Sequence, residues 1–180
     1  MKIIIRKICY VFLLTILTTI TFAQNKDWSK DEVQFYATVK SLFEHFEGKT
    51  YDTTQRELVF KKFIYFDNIL NDTSKTRVQQ RIKYFDALFY QMNHFVDSVG
   101  LKNLDAKPTH FFKDNKEFFK PYEKDGELHK LLPRTLTYFD KRRPNEPIGT
   151  LLFEPKTHKL MAWVVINQGG YYYFLTFNLV

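Results

Sequence analysis

The sequence predicts an α+β domain in which three N-terminal amphipathic helices precede a four-stranded antiparallel β-meander. Two patterns point to that class. Apolar residues recur at three- and four-residue steps through the first half, and the C-terminal part holds short β-branched and aromatic runs between turn-forming residues. No internal repeat or low-complexity linker interrupts them, so residues 24–180 read as one domain.

Residues 1–23 have the pattern of a cleavable secretory signal peptide. Lys2, Arg6 and Lys7 form a positive start, and no acidic residue occurs before Asp27. Residues 8–22 are apolar apart from a few threonines, and Thr21-Phe22-Ala23 offers a small-residue cleavage site that leaves Gln24 first. A membrane-spanning helix needs about 20 apolar residues. This core is shorter and diluted by threonine, which favours cleavage over a retained anchor and leaves no transmembrane span in the mature chain. Cys9 stands at the front of the core, the wrong place for a lipid anchor. The expected destination is the periplasm or the exterior.

Removing such a leader changes the chemistry available. The mature chain has no cysteine, hence no disulfide and no thiol nucleophile. Three of the 27 Lys and Arg leave with it and none of the 20 Asp and Glu, so net charge falls from +7 to +4. The remaining cations are scattered among acids rather than gathered in a stripe, which argues against nucleic acid as a partner. Stability must come from packing. Of 32 Phe, Tyr and Trp residues, 29 lie beyond the leader, and each can bury about 150–250 Å².

The helical layer is expected over about residues 29–100. Ser29 and Glu32 have capping-box spacing, Val33, Tyr36, Val39, Phe43 and Phe46 form an apolar stripe, and Gly48 stops it. A second helix is expected over 54–70, with Leu58, Val59, Phe63, Phe66 and Leu70 on one side, although short runs there also fit a strand. The third has the most regular spacing. Thr73 or Ser74 can cap it, Val78, Ile82, Phe85, Phe89, Met92 and Val96 follow at 4-3-4-3-4, and Gly100 closes it. Its other face is polar apart from Ala87.

Residues 101–132 read as irregular and Phe-rich, broken by Pro108, Pro121 and Gly126, with one short helix around 115–120. Strands are expected over 135–140, 148–154, 160–167 and 171–178, the sheet as a whole covering about 134–178. Gln168-Gly169-Gly170 suits a tight hairpin. These strands are apolar on both faces. Leu160, Ala162, Val164 and Ile166 alternate with Met161, Trp163 and Val165, and Tyr171, Tyr173, Leu175 and Phe177 alternate with Tyr172 and Phe174. A sheet with one wet face alternates apolar with polar. This one needs cover on both sides, supplied by the helices on one and by the Phe-rich segment, a ligand or a partner on the other.

No catalytic motif accompanies this architecture. Gly48-Lys49-Thr50 mimics the end of a phosphate loop, but Phe43 stands where that loop needs glycine. His45, His94, His110, His129 and His158 show no metal-ligand spacing, so no metal or cofactor is expected. Glu44 and Glu47 flank His45 as an exposed helix end would, and no G-x-S-x-G elbow occurs. Asn71-Asp72-Thr73 fits a glycosylation sequon and equally a helix-linking turn.

Two groups of residues are candidates for binding. Lys141, Arg142 and Arg143, between the first two expected strands, could hold a phosphate or an acidic partner, or simply face water. Trp163, Tyr172 and Phe174 could line an aromatic pocket or interface. The function these features imply is that of an exported, non-catalytic binding or interaction domain. It would take a small apolar ligand or a protein partner, as an envelope immunity or inhibitor protein does, or self-associate through the sheet. An exported pocket enzyme such as a hydrolase, whose polar groups meet only in the fold, and a structural envelope component are the competing classes.

Overall fold

The computed structural model describes residues 27–65 and 75–177. The leader, the sequon, the caps at Thr73 and Ser74 and the second helix beyond Tyr65 lie outside the described residues. The fold is α+β, and a four-stranded antiparallel meander is present.

Helix α1, Lys30–Phe46, begins on the capping box: Ser29 Oγ accepts from Glu32 N at 3.2 Å, and Glu32 Oε2 accepts from Ser29 N at 2.7 Å. Two of the N-terminal donors that a helix leaves unpaired are thereby satisfied. Its buried stripe is Phe35, Val39, Leu42, Phe43 and Phe46. Val33 and Tyr36, expected on that stripe, are half-buried at its edge, where the Tyr36 hydroxyl donates to Asp105 at 2.9 Å.

Helix α2 spans Arg56–Phe63, shorter than the expected 54–70. Its end has a cause in the sheet: Ile64 turns extended and bridges Leu160, and Tyr65 N donates to Leu160 O at 2.8 Å. Val59 and Phe63 face inward, whereas Leu58 is exposed. Helix α3, Lys75–Val99, buries Phe85, Phe89, Met92 and Val96 and turns Gln80, Lys83, Ala87, Gln91 and His94 to solvent. One buried side chain ties α3 to the end of α1. Asn93 Nδ2 donates to Phe46 O at 3.1 Å and Lys49 O at 2.6 Å, while Oδ1 accepts from Tyr51 N at 2.5 Å.

The meander differs from the expected one in membership. Its first strand, β1 (Leu104–Pro108), comes from the segment read as irregular, and β2 (Thr135–Asp140), β3 (Pro147–Phe153) and β4 (Leu160–Ala162) follow in order. The expected strand 160–167 breaks at Trp163. Its second part becomes β5 (Val164–Gln168), which among the described residues pairs only with β6 (Tyr171–Leu175), in a separate hairpin. The turn there forms as its sequence suggests, with Gly169 at φ +63° and Gly170 at φ +92°, a conformation side chains with a Cβ resist.

The cause of the break is a bulge. Leu152 pairs with Ala162 and Phe153 with Leu160, so Met161 is extra. Leu160 and Ala162, expected on the same face, consequently enter opposite cores. The larger core joins the helices to Leu104, Ala106, Leu136, Leu151, Phe153 and Leu160. Complete burial of a Phe or Leu stabilises by about 1.5–3 kcal/mol, and Phe35, Phe46, Phe63, Phe85, Phe89, Phe153 and Phe177 are all fully buried. The smaller core lies on the other sheet face and gathers Tyr122, Leu128, Leu152, Ala162 and Phe174, with Phe118, Phe119, Leu131 and Leu132 against it. The Phe-rich segment thus supplies cover for the second face, through the short helix α4 (Lys116–Phe119) and the turns around it. Among the described residues, no helix is long and apolar enough to cross a membrane.

Candidate functional site: an aromatic cleft in the sheet plane

Beyond Ala162 the chain leaves β3, and the space between β3 and β5 opens into a cleft of about 560 Å³. Ile148, Gly149 and Thr150 of β3 form one side, Val164, Val165 and Asn167 of β5 the other, and Trp163 sits where the two strands part. Met92 and Phe95 of α3, with Tyr138, wall it from the larger core; Phe118, Pro121, Tyr122 and Tyr172 wall it from the smaller. This volume falls within the range of small-molecule sites, about 300–1,000 Å³.

Two of the walls are held in place by neighbouring aromatic rings. Trp163 is seated edge-on against Phe89 and Phe177, both at 5.2 Å between ring centroids. Tyr138 is gripped edge-on by Phe95 at 5.5 Å and by Phe43 at 6.1 Å. Its ring lies over Gly149, its cross-strand partner, so closely that a Cβ there would stand 2.7 Å from the hydroxyl oxygen. Glycine at 149 is what allows a tyrosine to lie flat across the neighbouring strand.

The polar groups of the lining are the hydroxyls of Thr150, Tyr122, Tyr138 and Tyr172, the amides of Gln91 and Asn167, the Trp163 indole and Glu117. Thr137 Oγ1 donates to Thr109 Oγ1 at 3.0 Å and lies 3.4 Å from Thr150 Oγ1, on the side of the cleft that Tyr122 walls. Burial pushes the phenols of Tyr122 and Tyr138 up to about 12, with the nearby Thr150 hydroxyl a smaller opposing influence at Tyr122. Both phenols therefore stay protonated at neutral pH, so neither can act as a base there. Glu117 is the one formally charged residue in the lining, and no histidine contributes to it. The arrangement suits an apolar body carrying a few acceptors.

Of the residues singled out from sequence, Trp163 and Tyr172 meet in this cleft. Phe174 lies behind it, buried in the smaller core. Lys141, Arg142 and Arg143 occupy the exposed β2–β3 loop, where each has a partner within the chain. Arg142 forks onto Asp140, holding that carboxyl down at about 2, and Arg143 reaches Glu146 at 3.3 Å. Lys141 Nζ donates to Lys102 O at 3.1 Å. The shallow depression beside this loop meets the cleft at Ile148. Tyr138, Gly149, Phe118, Tyr122 and Glu117 escape the sequence reading. Gly149 carried the available signal, since glycine inside a strand often marks a close approach. No family model, curated protein or solved structure matches this chain.

Proposed function

We propose that the protein is an exported, non-catalytic binding domain whose ligand occupies the cleft between β3 and β5. The carrying observation is the cleft itself, an opening of about 560 Å³ between the two cores, walled by Trp163, Tyr138, Tyr122, Tyr172, Phe95 and Phe118. Aromatic walls interspersed with hydroxyl and amide groups favour binding: area supplies affinity and the polar groups set orientation. Export is supported by the leader-like residues 1–23.

The two tryptophans allow a direct test. With Trp28→Phe, Trp163 remains the sole reporter and stands in the cleft wall. Titration with N-phenylnaphthylamine should quench Trp163 by energy transfer, with saturation. Tyr172→Arg, which places a charge at the cleft, should weaken that probe by about tenfold or more, the cost of desolvating an unpaired cation. Saturable binding of equal strength in Tyr172→Arg would remove the cleft from consideration.

A further inference from the structure

The lining of the cleft narrows its ligand to a chemical class. Rings stand on both sides of the opening, Phe95 and Tyr138 toward the larger core and Phe118, Tyr122 and Tyr172 toward the smaller. Aromatic pairs in offset or edge-on contact gain more than the area they bury, so these walls favour a ring over an alkyl chain of equal size. Formal charge is nearly absent. Among the described residues Glu117 alone carries one, and it lies exposed on α4, with Lys113, Lys116 and Lys120 close along the chain to offset it. A carboxylate or an ammonium carried into the cleft would lose hydration and meet no counter-charge there.

Hydrogen-bond polarity points the same way. Asn167 Oδ1 accepts from Gly170 N at 3.1 Å, which commits the oxygen to the hairpin turn and leaves the Nδ2 protons to a ligand. The Trp163 indole N–H, just before β5, can donate and cannot accept. Among the described residues neither N–H group has an acceptor. We infer that the cleft binds an uncharged aromatic carbonyl compound, its ring between the aromatic walls and its oxygen accepting from the Asn167 amide. The Trp163 N–H offers a second acceptor position at the other end of β5. This names the ligand class of the proposed function and rests on the cleft being a binding site.

The test uses the full mature chain, with acetylnaphthalene, ethylnaphthalene, dodecanone and naphthoate each competed against N-phenylnaphthylamine. With affinities corrected for partition between water and hexane, acetylnaphthalene should exceed ethylnaphthalene, which lacks the acceptor, by about tenfold or more. It should exceed dodecanone, which lacks the ring, severalfold, and naphthoate should not compete. Asn167→Asp keeps an acceptor for Gly170 N and removes the donor. It should abolish the margin over ethylnaphthalene while leaving ethylnaphthalene itself unchanged. The carbonyl stretch of bound acetylnaphthalene should lie below its frequency in hexane and rise again in Asn167→Asp. If N-phenylnaphthylamine binds and that margin is missing, or persists in Asn167→Asp, the ligand class is wrong and the cleft reading stands. Failure of N-phenylnaphthylamine and all four compounds defeats both. Naphthoate binding more tightly than acetylnaphthalene overturns the proposal in favour of an anion, and a margin for dodecanone overturns it in favour of an aliphatic chain.

Discussion

Replacing Gly149 by alanine tests whether Tyr138 forms the cleft wall as described. A Cβ at 149 would stand 2.7 Å from the Tyr138 hydroxyl oxygen, 2.8 Å from Cε1 and 2.9 Å from Cζ. Comfortable contact between carbons is about 3.5–4.0 Å, so the ring must move by more than half an ångström. It has little room, because Phe95 and Phe43 pack its edges. Overpacking of this kind costs about 1–3 kcal/mol. Alanine recovers about 0.4–1 kcal/mol by restricting the unfolded chain, so the net loss is at most about 2.6 kcal/mol. The clash predicts a sign for the double-mutant cycle, measured by urea denaturation. Tyr138→Val removes every clashing atom, so Gly149→Ala should cost nothing, or even stabilise, in that background. Tyr138→Phe removes only the hydroxyl and should leave most of the penalty. Additivity of Gly149→Ala and Tyr138→Val within about 0.5 kcal/mol would refute the contact.

Further outcomes are expected elsewhere in the molecule. Asn93→Ala strips Tyr51 N of its acceptor and Phe46 O and Lys49 O of their donor. Unfolding free energy should drop by about 2–4 kcal/mol, and a loss below about 1 kcal/mol would show that water replaces the side chain. Tyr122 and Tyr138 titrate near 12 when folded against an ordinary 10.0. Their contribution is complete below about pH 10 and is lost as pH rises toward about 12, since the unfolded chain releases phenolic protons first. Denaturation midpoints should fall across that window, and less steeply in Tyr122→Phe; parallel profiles would contradict the assignment. Expression in a bacterial host, followed by fractionation and N-terminal sequencing, should find the mature chain outside the cytoplasm beginning at Gln24. An intact Met1 terminus in the cytoplasm would end the export reading.

The features legible in the sequence are those set by neighbours along the chain. The Ser29 and Glu32 cap, the spacing from Phe85 to Val96 and the Gly169-Gly170 turn each involve residues within one turn or one hairpin. Steric rules and local hydrogen bonds suffice for them. Sequence also showed that the sheet needs cover on both faces, because apolar residues occupy both parities of its strands. Strand β1 was hidden between Gly100 and Pro108, where its partner lies about thirty residues away and its Asp105 and Lys107 read as loop.

Only the tertiary structure decided where the sheet closes and where it opens. The extra residue at Met161 sends Leu160 and Ala162 into different cores, and no periodicity can announce a bulge whose cause is the packing on either side. From that bulge follows the departure of β5 from β3, and from the departure the cleft. Trp163 and Tyr172 were recognisable as aromatic candidates from the strand pattern. That they face a gap while Phe174 closes a core depends on which backbone edge is left unpaired, and strand pairing is settled by contacts distant in sequence.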